Sequence, residues 1–288
     1  MHILFVLPLA VGVIAGASPA LAQNQPADLG ELLFDIGGCT NCHTTGEGPA
    51  LAGGDPIVSP FGTFYPPNIT PDAATGIGGW SDADFIKAMR EGVSPEGDPY
   101  YPAFPFTSYT HMSDEDLIAL KGYLDTIEPV EASSPEHELK MPVWPYLDIP
   151  LDLRVALWGW RWLFFEPERF EPVADRDEVW NRGAYLTLGP GHCAECHTPR
   201  NLFGALDHAR DWSGNPDGAE GENVPAITAD DAGIGDWSEG DLSLFLQLGM
   251  LPDGDFAGSG MAKIINNGTS KLPDEDRNAI ITFLKNLP

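Results

Sequence analysis

All four cysteines of this 288-residue chain fall in one five-residue pattern that occurs twice. Cys39-Thr40-Asn41-Cys42-His43 and Cys193-Ala194-Glu195-Cys196-His197 both read C-x-x-C-H. Two thiols three residues apart share one turn, so each can add to one vinyl group of a porphyrin. The imidazole that follows then falls on the iron. The spacing is that of covalent haem c attachment, with two haem groups and with His43 and His197 as proximal ligands. Zinc held by four thiolates needs its C-x-x-C pairs close together, and here 151 residues separate Cys42 from Cys193. Two local disulfides would use the cysteines without explaining the histidine after each pair.

A haem iron with one imidazole has a sixth position to fill, and a methionine thioether there raises the potential. Met261 lies in the Gly-rich stretch AGSGMAKII, 64 residues after His197 and before the last expected helix. In the first half the position 157 residues earlier is Phe104, which cannot ligate iron. Met112, 69 residues after His43 and beside the expected helix start at Ser113, takes the role instead. His111 is its rival and would give a bis-histidine iron of lower potential; an iron with no protein ligand is the third alternative. Met89 and Met250 fall within or at the end of expected helices and read as core.

The elements that position these groups come in two sets, because the chain repeats itself. GIGGWSDAD at 76–84 returns as GIGDWSEGD at 233–241, and DEDLIALKGYL at 114–124 returns as DEDRNAIITFL at 274–284. Residues 23–130 and 175–288 are therefore expected to be two homologous domains, joined by a connector over 131–174. Helices are expected at about 28–37, 81–90 and 113–126, then 178–188, 239–249 and 274–286. Ser81 and Ser113 supply capping patterns, and Gly92 supplies a stop. Long alternating strands are absent. The connector stretch LDLRVALWGWRWLFFEPERF (151–170) holds three tryptophans and is read either as packing between the domains or as a partner-docking or membrane-interface helix.

Charge narrows the partners. Lys and Arg number 15 against 43 Asp and Glu, a formal net charge of -28. Phosphate-contacting nucleic-acid binding needs a basic face and is excluded; docking on anionic lipid is disfavoured. The deficit is spread over both halves, at -13 for residues 23–130 and -11 for 175–288. Residues 1–22 carry no acid, Lys or Arg and end in Ala20-Leu21-Ala22, which reads as a secretory signal peptide cleaved after Ala22. Retention as an anchor is the alternative. The mature protein is expected in the periplasm, without a membrane span.

Three long stretches carry a family resemblance: NITPDAATGIGGWSDADF, YYPAFPFTSYTHMSDEDLIALKGYL and WNRGAYLTLGPGHCAECHTPRNLFGAL. They resemble the dihaem cytochromes c related to the cytochrome c subunits of bacterial alcohol and gluconate dehydrogenase complexes. The resemblance implies a mainly α fold of two tandem class I cytochrome c-like domains. It also supports Met112, because relatives that read P-A-F-P-Y carry a following Thr-x-Met. By the same resemblance, Pro49 is the candidate to offer its carbonyl to the proximal His ring, a contact that orients the ligand. Trp80 and Trp237, at matching repeat positions, are candidates to donate to haem propionates or else pack the core. Arg200 is a further propionate candidate.

The function this implies is single-electron transfer between a dehydrogenase and a downstream cytochrome or oxidase, with a basic docking face on the partner. A dihaem enzyme of thiosulfate dehydrogenase-like or peroxidase-like type, with one open iron, is the alternative. A third reading is a non-catalytic subunit held permanently in a dehydrogenase complex.

Overall fold

The computed structural model describes residues 26–140, 153–218, 221 and 223–287. The expected export signal lies outside the described residues, as does part of the connector. Helices dominate: α1 (Pro26–Ile36), α2 (Cys39–His43), α3 (Asp82–Glu91), α4 (Phe106–Tyr109), α5 (Asp114–Leu124), α6 (Leu153–Phe164), α7 (Glu178–Leu188), α8 (Ala194–His197), α9 (Glu239–Leu248), α10 (Ser259–Asn267) and α11 (Asp274–Leu284). One small antiparallel sheet, in the order β1 (Ile57–Ser59), β2 (Gly62–Phe64), β3 (Glu138–Leu139), pairs Ile57 with Phe64 and Gly62 with Leu139.

In each half the first helix crosses the last. α1 packs on α5, and α7 packs on α11. Both crossings are made at a glycine. A Cβ on Gly30 would lie 2.3 Å from the Ala119 carbonyl oxygen, and one on Gly183 would lie 1.9 Å from that of Ala279. Only a residue without a side chain lets the backbones approach so closely. α3 and α9 open on matching capping boxes, Ser81 with Asp84 and Ser238 with Asp241, and both stop at a left-handed glycine, Gly92 or Gly249. α5 is capped by Ser113 as expected, but its box does not close. Asp116 instead accepts from the Tyr185 hydroxyl of α7, and the Ser113 amide donates to that same oxygen at 3.3 Å.

The halves share a core. One apolar cluster runs from Leu33, Met112 and Leu117 through Leu186 and Trp212 to Phe283. α6 lies against both halves. Its inner face presents Trp160 and Phe164, with Phe165 just beyond: Phe165 meets Phe106 edge-on at 4.9 Å, Phe164 stacks on Phe203 at 5.5 Å, and the Trp160 indole donates to the Phe203 carbonyl at 2.9 Å. The outer face, with Val155, Trp158 and Trp162, is exposed. Among the described residues no helix is long and apolar enough to cross a membrane.

Candidate haem attachment sites

α2 and α8 each carry a C-x-x-C-H motif on a single short turn, and all four cysteines are free thiols. Burial pushes the Cys39 and Cys193 thiols up to about 12, so both stay protonated. The histidines carry the most information. His43 Nδ1 lies 2.7 Å from the Pro67 carbonyl oxygen, and His197 Nδ1 lies 2.9 Å from that of Pro225. A carbonyl only accepts, so each Nδ1 carries the proton and donates it. Nε2 is then left with its lone pair, the form that ligates a metal. Burial pushes both imidazoles below their ordinary range, against the opposing effect of the proline carbonyls, which keeps them neutral. Two thiols and one tautomer-fixed imidazole per turn fit covalent haem c.

The backbone around the two histidines agrees bond for bond. Gly53 donates to the His43 carbonyl at 3.1 Å, and Gly214 donates to that of His197 at 2.9 Å. Thr44 Oγ1 accepts from Leu51 at 3.0 Å, and Thr198 Oγ1 accepts from Trp212 at 3.1 Å. Leu51 and Trp212 in turn accept from Ile69 and Ile227, both at 2.9 Å. Leu51 and Trp212 also share a left-handed backbone, with φ of 62° and 64°. Bulky residues pay for that conformation, and here it turns the chain so that the segment reaching Pro67 or Pro225 lies back over the histidine.

These contacts correct one expectation. The carbonyl on the His43 ring belongs to Pro67; that of Pro49 accepts from Ala52 instead. Pro49 comes too soon after the motif, before the Leu51 turn that carries the chain back. The signal was present in the sequence, since Pro67-Asn68-Ile69-Thr70 returns as Pro225-Ala226-Ile227-Thr228. The Arg200 guanidinium pairs with Glu195 of α8, five residues earlier, and donates to the Gly204 carbonyl at 2.8 Å within the tight 200–206 loop.

Trp80 and Trp237 occupy equivalent places, half-buried against the core, with their amides on Ile77 and Ile234 at 3.0 and 3.1 Å. Trp237 also meets Phe245 edge-on at 5.3 Å. Met112 is fully buried, immediately before α5, and its carbonyl accepts from Arg90 at 2.8 Å. Met261 lies in the first turn of α10, half-buried against the core, where a Gly-rich loop was expected. Gly258 opens that helix in extended backbone and nothing after it until Gly268 interrupts the turn. His111, the rival to Met112, lines a cleft of about 360 Å³ with His208, Trp180 and Trp212. Met89 is buried in α3.

The two motifs are neighbours in space. His192, directly before Cys193, places Nε2 3.2 Å from the Gly37 carbonyl, and its ring meets Tyr109 edge-on at 5.5 Å.

Comparison with known proteins agrees with this geometry. The cytochrome c family profile matches residues 27–128. A protein described as diheme cytochrome c-type, from Cereibacter sphaeroides, is 42% identical over 91% of this chain and 86% of its own length. The gluconate 2-dehydrogenase cytochrome c subunit of Pantoea cypripedii is 39% identical over 98% of this chain, which spans 64% of that subunit. The alcohol dehydrogenase (quinone) cytochrome c subunit of Komagataeibacter europaeus is 38% identical over 94% of this chain, which spans 59% of it.

Proposed function

The chain belongs to the cytochrome c family, and from that premise we propose that it carries two covalent haem c groups and passes single electrons between a dehydrogenase and a downstream acceptor. The haems sit in two tandem class I-like units, residues 23–130 and 175–288, with the aromatic connector against both. Cys39 and Cys42 hold the first haem and Cys193 and Cys196 the second. His43 and His197 are the proximal ligands, and Met112 and Met261 complete the two irons. Trp80 and Trp237 serve the propionates.

The observation that carries this reading is the duplicated proximal site: two C-x-x-C-H turns, each with its histidine held by a proline carbonyl in the same tautomer. When bound, haem supplies the one-electron chemistry; the protein supplies position and environment. Pro67 and Pro225 orient the imidazoles and keep Nε2 free, and the buried surroundings of Met112 keep water from the first iron. The contact of His192, directly before Cys193, with Gly37, two residues before Cys39, supports direct passage of an electron from one haem to the other.

The mature protein works in the periplasm after removal of residues 1–22. Its partner, a dehydrogenase on the donor side or a cytochrome or oxidase on the acceptor side, presents a basic face to a chain of charge -28. Stopped-flow reaction of the reduced protein with a basic cytochrome c tests this. The second-order rate is expected to fall steeply as salt rises. A rate independent of salt would contradict the docking reading.

A further inference from the structure

The geometry points to a reciprocal clasp: a variable residue inside each C-x-x-C-H motif holds the methionine-bearing segment of the opposite half, so each motif governs the sixth ligand of the other haem. The inference rests on the reading above that Met112 and Met261 are ligands.

Asn41 of α2 accepts from Asn267 Nδ2 at 2.6 Å. Asn267 ends α10, whose first turn carries Met261. The same helix packs on α2. A Cβ on Gly38, the residue before Cys39, would lie 3.9 Å from Ile264 Cδ1. The converse contact is made by Glu195 of α8. Its Oε1 accepts from Thr107 Oγ1 at 2.6 Å and from Ser108 Oγ at 3.2 Å. Those hydroxyls sit on α4, which leads directly into Met112. Arg200 fixes the other Glu195 oxygen, and the Glu195 side chain is 8% exposed.

Neither Asn41 nor Glu195 is needed to attach a porphyrin or to orient a proximal imidazole. Asn41 Oδ1 and Glu195 Oε1 both accept across the boundary between the halves. Asn41 Nδ2 is itself buried without a partner, which makes the residue a poor space-filler and leaves the Asn267 contact as what its side chain does. The clasp couples the sites because a methionine leaves iron only if its segment moves, and each segment is pinned by the other motif. Such a coupling is reciprocal in free energy.

The test uses the full-length holoprotein with imidazole as the probe, since its entry at each ferric haem waits on departure of the methionine. Met112→Ala and Met261→Ala assign the two phases and the two axial methionine methyl resonances of the reduced protein. Asn41→Ala is expected to speed imidazole entry about tenfold at the Met261 haem, equivalent to about 1.4 kcal/mol. The Met112 haem, whose own motif was changed, should stay within about twofold of wild type, a difference small against one lost hydrogen bond. Glu195→Ala should do the converse. Glu195→Gln keeps the acceptor and should restore the Met112 phase.

Asn267→Ala removes the first clasp without touching an attachment motif, so poor haem loading of a motif variant does not decide the outcome. Combining it with Asn41→Ala should add nothing further. The clasp is overturned if each variant acts only on the haem of its own motif, or if neither phase moves. Wild-type protein with fewer than two axial methionine signals would overturn the ligand reading, and the clasp with it.

Discussion

His43 and His197 sit on backbones that agree hydrogen bond for hydrogen bond, whereas Met112 and Met261 sit on different elements. Around the histidines even the left-handed residue is matched, Leu51 in one half and Trp212 in the other. Of the two methionines proposed as sixth ligands, the first half's is fully buried just before α5 and the second half's is half-buried inside α10. The proximal frame tolerates little change because it must fix a tautomer and a ring angle at once. A thioether needs only to reach the iron, so its point of attachment to the chain can move. On the proposed assignment, the second half uses the place where the first has Phe104, and the first half compensates about two turns of chain later.

The largest effect is expected where the comparison is closest. Gly30→Leu and Gly183→Leu both drive a side chain into a carbonyl across a helix crossing, 2.3 Å and 1.9 Å away for the Cβ alone. Each should cost more than about 4 kcal/mol and abolish accumulation of folded holoprotein, read by soluble yield and haem absorbance. Tolerance of one and not the other would show that the crossings are unequal.

Met112→Ala and Met261→Ala should each remove about half of the methionine–iron charge-transfer band and lower one of two potentials in a redox titration. If Met112→Ala leaves band and potentials unchanged, Met112 is not a ligand, and His111 becomes the residue to replace. Tyr185→Phe removes the hydroxyl between Ser113 and Asp116, a contact with no counterpart in the repeat. A loss of about 1 kcal/mol, or about 2–4 °C in Tm, is expected by calorimetry.

The smallest effect concerns the matched capping boxes. Serine hydroxyls hold the Asp84 and Asp241 carboxyls below their ordinary range. Their contribution is therefore full above the unfolded carboxylate pKa, about 3.9, and is lost as pH falls through the lower folded value. Asp84→Asn and Asp241→Asn should each lower Tm slightly at neutral pH and not at strongly acidic pH, by equal amounts in the two halves.

Much of this was legible in sequence because it depends on local spacing. The attachment turns, the histidines that follow them, the capped helices α3 and α9 and the extents of α5, α7 and α11 all follow from residues within a turn or two of each other. The role of Pro67 and Pro225 depends on a chain reversal at Leu51 or Trp212 that no local spacing rule encodes, and only the repeated Pro-x-Ile-Thr marks it. α10 was hidden by its small and β-branched composition, Ser-Gly-Met-Ala-Lys-Ile-Ile, which reads as loop until Gly258 caps it. The α4 partners of Glu195 are hidden for a different reason: Ser108 and Thr107 lie 87 and 88 residues away in chain.

The most direct test of the account is the number of haems per chain and which cysteines hold them. Haemochrome absorbance and intact mass on wild type, Cys39→Ala/Cys42→Ala and Cys193→Ala/Cys196→Ala should give two, one and one. One haem on the wild-type chain, or two remaining after loss of either cysteine pair, would contradict it.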